Sequence, residues 1–243
     1  MRSSRPGGTS DCGRTWSVAG SKQAMAKRTP HRKTGITKHR VADGIYLLRF
    51  KTQYELTSTF LRVQEHYESP QFHGRIFTLE QYMDWYVAEN GGFTYFQDWS
   101  GFNVPSTAFR PFYEGKFDPL TRKEKQLLAL FRNLQGRFYV IGIYDGGKKG
   151  TLTHELAHAL FFIDDDYRKA VREAMRGYDT SALEEQLAKA GYARHVIPDE
   201  VQAYIVAPSG ELGAISRALM PLRRKLRALF RQHAKGLSVP ALR

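Results

Sequence analysis

The segment "GRFYVIGIYDGGKKGTLTHELAHALFFI", residues 136–163, combines two patterns that each predict one element of regular structure. Residues 136–145 are rich in β-branched and aromatic side chains and end at a turn of glycines and lysines, which is typical of a strand. The residues from 151 onward are mainly apolar and predict a helix with Thr151 as its N-cap. A strand, a turn and a helix are therefore expected in direct succession.

Helices dominate the prediction on both sides of this segment. Thr78 with Gln81, and Thr121 with Glu124, form capping boxes at the start of two of them. The sequence contains no internal repeat and no succession of parallel βαβ units, so the expected class is α+β with a small sheet. The other expected elements are a strand at 44–51, a helix at 54–67, a strand followed by an ordered loop in 91–106, and helices at 164–176, 180–190, 198–207 and 211–234.

Positive charge is concentrated at the two ends of the chain. The formal net charge is +13, and residues 1–40 hold ten Lys/Arg and one acidic residue, whereas residues 217–243 hold eight Lys/Arg and no acidic residue. The intervening residues carry 19 basic and 23 acidic side chains, so the body of the protein is mildly acidic. The basic ends are candidates for weak contact with nucleic acid. A solvated tail and a polar helix face explain the same composition and are the simpler interpretation.

Composition divides the chain into four regions. Residues 1–40, rich in Gly, Ser, Thr, Arg and Lys with little apolar periodicity, predict a disordered basic tail. Residues 41–135 form an aromatic-rich accessory part of the fold, residues 136–210 its core, and residues 211–243 a basic amphipathic helix and tail. Cys12, the single cysteine, excludes an internal disulfide framework and a Cys-based zinc finger.

Membrane insertion and secretion find no support in the sequence. No apolar run approaches the ~20 residues that a membrane-spanning helix needs. The basic N-terminus lacks the apolar segment of a secretory signal. A soluble cytoplasmic protein without a membrane span is therefore expected.

Two histidines and a glutamate interrupt the apolar pattern of the predicted helix. His154 and His158 lie one helical turn apart, so both imidazoles can bind one metal ion, and Glu155 lies beside that face, where it can act on a metal-activated water. The alternative is a buried helix whose polar side chains are satisfied by hydrogen bonds. Without partners, burial costs roughly 2–7 kcal/mol per polar group, and a metal ion offsets that cost.

This motif also carries a family resemblance. Residues 151–160 have uncharged residues between and beside the histidines, a hydrophobic residue at 160 and no proline, and they resemble the extended signature of zincin metallopeptidases. The resemblance implies a Zn²⁺ cofactor, a peptide or protein substrate, and Glu155 as general base for the activated water and then proton donor to the leaving amine. It also implies a zincin-like core over 136–210, with a small sheet whose exposed edge strand precedes the active-site helix and pairs with substrate.

A catalytic zinc site needs a third protein ligand, and two candidates exist. Asp164 lies six residues after His158, the spacing used by families in which a glycine breaks the helix between the two positions. This chain has Phe161 at that position, and an unbroken helix turns Asp164 away from the histidines. Asp164 is therefore the weaker candidate, although the sequence leaves it open.

Glu200 is the stronger candidate for the third ligand. It lies on a short predicted helix that begins at Pro198, and a glutamate from a second helix is the third ligand in gluzincins. Glu200-x-x-Ala203, followed by Ala207 and Pro208, is faintly similar to the second signature of the ImmA/IrrE-like metallopeptidases. The non-catalytic interpretation is a glutamate placed in the first turn of a helix by the helix dipole.

Further residues are candidates for supporting roles around the metal. Asp199, or one of the carboxylates at 164–166, can accept a hydrogen bond from a ligand imidazole. Tyr204 and His195 are candidate donors to an oxyanion, although surface or packing roles explain each of them singly. The aromatic stretch 95–106 is a candidate wall of a substrate cleft, whereas aromatic residues at such density more often form core.

A function from a different class is also consistent with the sequence. The chain can be a nucleic-acid-associated binding protein that uses its basic ends and holds zinc in a structural site. A structural site closes the fourth coordination position with another His, Cys or carboxylate, whereas a catalytic site leaves it to water.

Overall fold

The computed structural model describes residues 35–147, 150–208 and 215–240. The strands are β1 (Thr37–Ala42), β2 (Ile45–Phe50), β3 (Gly101–Pro105) and β4 (Tyr139–Tyr144). The α-helices are α1 (Gln53–Glu68), α2 (Leu79–Asn90), α3 (Tyr95–Asp98), α4 (Arg110–Tyr113), α5 (Arg122–Ala129), α6 (Thr151–Ile163), α7 (Asp165–Met175), α8 (Ser181–Lys189), α9 (Ile197–Val206) and α10 (Met220–His233). Short 3₁₀ turns lie at Ser106–Phe109, Arg217–Leu219 and Ala234–Gly236. The predicted helix-dominated α+β class is confirmed.

The four strands form one mixed sheet in the order β1-β2-β4-β3. β1 and β2 form an antiparallel hairpin through Asp43 and Gly44, and Gly44 has a φ of 71°, a conformation that tight two-residue hairpins require. β2 pairs parallel with β4, and β3 pairs antiparallel with β4. The prediction that an edge strand precedes the active-site helix is wrong, because β4 lies between two neighbours. Its nearly continuous apolar sequence, buried along most of its length, is typical of an interior strand.

Helices cover both faces of the sheet and form a separate apolar core with each face. On one face, Tyr139, Ile141 and Ile143 of β4 join the core built with α6–α10. On the other face, Val140 joins the aromatic-rich core built with α1–α5. Gly142 also points to that second face, where a Cβ atom would lie 2.7 Å from Leu56 and 2.8 Å from Phe60 of α1. Glycine at this position lets α1 pack close to the sheet.

The aromatic-rich face contains a buried ion pair. Arg62 of α1 donates from Nε and Nη2 to the two carboxylate oxygens of Glu124, at 2.7 and 2.6 Å. The same guanidinium donates to the carbonyl of Phe117 at 3.1 Å. Glu124 also accepts from the backbone N–H of Thr121 at 2.7 Å, which completes the predicted capping box of α5. The capping box at Thr78 and Gln81 is confirmed as well.

Some predicted boundaries are wrong. Residues 37–40 belong to β1, so the predicted disordered tail over 1–40 extends too far, and residues 1–34 lie outside the described ranges. Thr151 is the first helical residue and Gly150 its N-cap. In the segment 91–106 the expected order is a strand followed by a loop, whereas the structure has the short helix α3 followed by the strand β3. The last helix begins at Met220, and residues 211–214 of the predicted helix 211–234 lie outside the described ranges.

Within the described ranges, none of the helices combines the length and the apolarity that crossing a membrane requires.

Candidate metal centre

Two helices bring the three predicted ligands together. His154 and His158 lie one turn apart on α6, which packs against the sheet, and Glu200 lies on α9, which packs against α6. All three side chains are buried. The Nε2 atoms of the two histidines are 3.2 Å apart, and the Glu200 oxygens lie 3.6 Å from Nε2 of His154 and 3.5 Å from Nε2 of His158. The structure thus places Glu200 where the third ligand is expected.

The outer nitrogen of each imidazole faces an acceptor. Nδ1 of His154 lies 3.1 Å from the carbonyl oxygen of Ala207, and Nδ1 of His158 lies 3.1 Å from a carboxylate oxygen of Asp199. Because these oxygens only accept, the hydrogen of each neutral ring is assigned to Nδ1, and each Nε2 keeps its lone pair. Both lone pairs are therefore directed at the space that the Glu200 carboxylate also faces.

The converging donor atoms form a group that can hold a metal ion. Among the described residues, Oε2 of Glu200 is buried and has no hydrogen-bond partner. Donors bound tetrahedrally at about 2.0–2.2 Å from a zinc ion are roughly 3.3–3.6 Å apart. The two Nε2 atoms here are 3.2 Å apart, and each lies 3.5 or 3.6 Å from a different oxygen of Glu200. Two imidazoles and one carboxylate are also a donor set that suits divalent transition metals. The residues present therefore fit a zinc-type ion.

Electrostatics favour an anionic Glu200 at this position. Burial alone would raise the pKa of Glu200, but the neighbouring His158 and His154 side chains lower it below its ordinary value. Burial also opposes protonation of His158, yet Asp199 and Glu200 outweigh it and raise the pKa of that imidazole. The cluster thus holds a buried negative charge that attracts either a proton or a metal ion.

Glu155 lies beside the ligands and is held by the neighbouring strand. It is buried, and its Oε2 accepts from Nδ2 of Asn103 at 2.7 Å, while Oδ1 of Asn103 accepts from the hydroxyl of Tyr139. Burial raises the pKa of Glu155, and the two histidines partly oppose that effect. A Cβ atom at Gly101 would lie 2.5 Å from Oε1 of Glu155, so glycine is needed where β3 passes α6.

Asn103 is a site residue that sequence reasoning missed. The only available signal was an amide between Phe102 and Val104 in an otherwise apolar strand, and that signal names no partner. In the stretch 95–106, Trp99 and Asn103 line the cavity beside the three predicted ligands, whereas Phe102 is part of the core.

Asp199 lies where the sequence predicts a partner for a ligand imidazole. Its second carboxylate oxygen accepts from Nε2 of Gln202 at 2.9 Å, and Oε1 of Gln202 accepts from the hydroxyl of Tyr167 at 3.1 Å. A chain of polar contacts therefore runs from Tyr167 on α7 to His158. This chain fixes the position of the Asp199 carboxylate beside the ring.

Of the two predicted oxyanion donors, only Tyr204 lies at the site. Its ring is 4.7 Å from that of His154, and its hydroxyl lies 3.2 Å from the hydroxyl of Tyr192. His195 is exposed, with its ring 3.8 Å from that of His73, and does not line the cavity. Its Nε2 atom lies 3.1 Å from the carbonyl oxygen of Tyr67, so the structure does not bring His195 to the three predicted ligands.

The alternative third ligand, Asp164, is engaged elsewhere. Its side chain caps α7 by accepting from the N–H of Tyr167 at 2.9 Å. Its other oxygen lies 2.7 Å from Nδ1 of His233 on α10. Asp164 therefore has a structural role at a helix start, and the structure does not bring it to the two histidines.

A small cavity of about 40 Å³ adjoins the cluster. That space holds a few water molecules at most, since one water needs roughly 10–15 Å³ measured in this way. A larger cavity of about 340 Å³ lies beside it and shares Glu68, Trp99 and Tyr192 as lining residues. The candidate metal centre therefore lies next to a space large enough for a side chain.

Comparisons with protein-family models, with curated proteins and with solved structures find no match to this chain.

Proposed function

We propose that this protein is a zinc-dependent peptidase of the gluzincin type, which hydrolyses peptide bonds with water. The observation that carries the proposal is the convergence of His154, His158 and Glu200 on one point, with Glu155 held beside them. Within residues 35–147, 150–208 and 215–240, no further His, Cys, Asp or Glu joins the three-residue cluster. A position left open to water is the property of a catalytic site rather than a structural one.

The side chains of the chain itself supply the proton transfers. When bound, Zn²⁺ would polarise the peptide carbonyl and activate the attacking water. Glu155 takes a proton from that water and passes it to the leaving amine, and its raised pKa brings it closer to the neutral range where such transfer is efficient. Asn103 holds the carboxylate in place through one of its oxygens. Tyr204 and Tyr192 line the cavity and are candidate donors to the developing oxyanion.

The neighbours of the imidazoles support the same proposal. The Ala207 carbonyl and the Asp199 carboxylate face the two Nδ1 atoms, an arrangement that fixes ring orientation and makes the Nε2 atoms better ligands. Buried histidines without a metal also need acceptors for their N–H groups, so these neighbours support the proposal only together with the convergence of the Nε2 atoms on Glu200.

Metal analysis and peptide hydrolysis test the proposal together. Purified protein should hold about one zinc ion per chain, and His154→Ala or His158→Ala should lose it. Glu155→Gln should keep its zinc and its melting temperature, while hydrolysis of a mixed peptide library falls by about 10²–10⁴-fold. Glu173→Gln, a change at an exposed position on α7, serves as the control. Wild-type protein that stays free of metal after expression with ample zinc would contradict the proposal.

A second candidate function is contact with a polyanion such as nucleic acid. It is supported by Arg223, Arg227 and Arg231, which are spaced four residues apart on α10 and line a groove of about 390 Å³ beside the N-terminus of α6. Replacing all three with glutamine should lower the slope of log DNA affinity against log salt concentration by about three, because each arginine that contacts one phosphate contributes about one unit to that slope. Unchanged retention would assign these arginines to a solvated helix face.

A further inference from the structure

Five aromatic residues are among those that line the cavity of about 340 Å³ beside the candidate metal centre. The rings of Tyr82, Trp85, Tyr86, Trp99 and Tyr192 contribute to it. The faces of such rings attract cations, most strongly when water is excluded. An aromatic wall by itself also suits an apolar group, so the charges around it decide which group it takes.

The charged side chains that this cavity can present are two carboxyl groups, and burial raises the pKa of both. Glu65 and Glu68, one turn apart on α1, both line it. Glu65 is 8% exposed, and burial raises its pKa to about 7, although the neighbouring hydroxyls of Tyr95, Ser69 and Tyr82 partly oppose the shift. No lysine or arginine lines the cavity in the part of the chain that the structure describes. The carboxyl groups therefore lack a cationic partner within the fold.

Unpartnered polar atoms lie where this cavity meets the one at the metal centre. Gln64 is 4% exposed and lines the metal-centre cavity, and its Oε1 atom has no hydrogen-bond partner among the described residues. The indole N–H of Trp99, which lines both cavities, is likewise buried without a partner in the described ranges. One atom accepts and the other donates, which is what a bound peptide backbone requires.

We infer that this cavity is the specificity pocket of the enzyme and that it takes a lysine or arginine side chain of the peptide substrate, next to the bond that is cleaved. The inference rests on the proposed peptidase function for its substrate. The aromatic rings would contact the alkyl stem and the cation, and Glu65 and Glu68 would pair with the charge. Glu68 lines both cavities, so the cationic residue lies directly beside the metal centre.

A binding measurement tests the pocket without catalysis. Trp85 and Trp99 line the pocket, so tryptophan fluorescence of the full chain reports its occupancy. The probes are Nα-acetyl-arginine amide and Nα-acetyl-lysine amide, with Nα-acetyl-norleucine amide as the uncharged match for lysine. The cationic probes should bind at least about tenfold more tightly than norleucine amide. This difference in affinity corresponds to about 1.4 kcal/mol, which is in the range of the attraction between aromatic rings and a desolvated cation. Equal affinity for charged and uncharged probes would overturn the inference.

Variants of the carboxyl groups sharpen this measurement. Glu68→Gln, at a half-buried position, should bring the affinity for the lysine probe close to that for norleucine amide, and Glu65→Gln should act in the same direction. Glu173→Gln on α7 should change nothing. Circular dichroism of each variant establishes that it is folded, and a folded Glu68→Gln protein with undiminished preference for the cation would contradict the assignment.

Hydrolysis of peptides separates this inference from the proposed function. Wild-type protein should cleave library peptides that contain lysine or arginine at the selected position at least about tenfold faster, in kcat/KM, than their norleucine counterparts. Cleavage with no preference for a basic residue would overturn the pocket and leave the peptidase standing. Tight binding of the cationic probes with no cleavage of any basic peptide would keep the pocket and reject the peptidase.

Discussion

Two buried clusters of charged side chains lie on opposite faces of the same sheet, and they differ in how completely their polar atoms are partnered. On the aromatic face, Arg62 and Glu124 form an ion pair through two hydrogen bonds. Arg62 also donates to the carbonyl of Phe117, and Glu124 also accepts from the backbone N–H of Thr121. On the other face, the atoms of His154, His158 and Glu200 that point toward one another are all acceptors once Nδ1 carries the hydrogen.

The two clusters represent two ways of burying charge, one that holds elements together and one that leaves acceptors facing each other. A buried pair with all its hydrogen bonds is neutral as a unit and holds elements together, in this case α1 and α5. A buried set of acceptors without a donor is unfavourable by itself, and either a proton on His158 or a metal ion bound between the acceptors relieves it. The second arrangement is therefore the one that we propose as a binding site, although the residues in the two clusters are equally buried.

The largest expected effect concerns which carboxylate completes the metal centre. Glu200→Ala should abolish stoichiometric zinc binding, because it removes one of only three ligands. Asp164→Ala should leave zinc content unchanged and lower stability by about 1 kcal/mol, the usual loss for an N-cap. Metal analysis and thermal unfolding of both variants give the comparison, and the reverse ranking would make Asp164 the ligand.

The ion pair on the aromatic face should behave in the opposite way. Arg62→Met leaves Glu124 buried without its cation and should destabilise the fold by about 3–5 kcal/mol, with zinc content per folded chain unchanged. Adding Glu124→Gln removes the orphaned charge, and the double variant should recover part of the loss. Urea unfolding measures both. Loss of zinc from folded Arg62→Met protein would show that the two clusters are coupled.

Two glycines, one facing each core, allow the packing beside the two clusters to be compared. Gly101→Ala places a methyl group 2.5 Å from Glu155, and Gly142→Ala places one 2.7 Å from Leu56. Each should destabilise the fold by about 1–3 kcal/mol through overpacking. Only Gly101→Ala should also slow peptide hydrolysis, because it displaces the general base. Equal rates for the two variants would show that Glu155 tolerates the shift.

The smallest effect is expected for the partner of His158. Asp199→Asn keeps the shape of the side chain and removes its charge, and it should weaken zinc binding by about 10–100-fold. Competition with a chromophoric chelator measures the change, and Asp84→Asn, at an exposed position on α2, is the matched control. An affinity unchanged by Asp199→Asn would assign this carboxylate to packing with Gln202.

The features that the sequence predicts well depend on residues close to one another in the chain. The capping boxes at Thr78 and Thr121 act over three residues, and the spacing of His154 and His158 is fixed by one helical turn, so all are visible in a short window. Glu200 was reached through a resemblance, because nothing in its own surroundings distinguishes it from a glutamate at an ordinary helix start.

What the sequence does not predict depends on contacts between distant segments. β1 is polar and basic with a single fully buried side chain, Val41, so its pattern was indistinguishable from that of the tail before it. The position of β4 inside the sheet depends on its pairing with β2 and β3, which no short window contains. Asn103 acquires its role only because β3 lies beside Glu155 on α6.

The parallel pairing of β2 with β4 has a consequence for how the molecule assembles. Ile45 pairs with Tyr139, so the centre of the sheet forms only after the chain has closed a loop that contains α1–α5 and β3. Closing a long loop costs entropy before any contact repays it, and such topologies fold slowly. The histidines lie on the helix that directly follows β4, and Glu200 lies later still. During synthesis, the three predicted ligands therefore emerge after the whole aromatic layer, so the proposed site can bind a metal ion only late in the assembly of the chain.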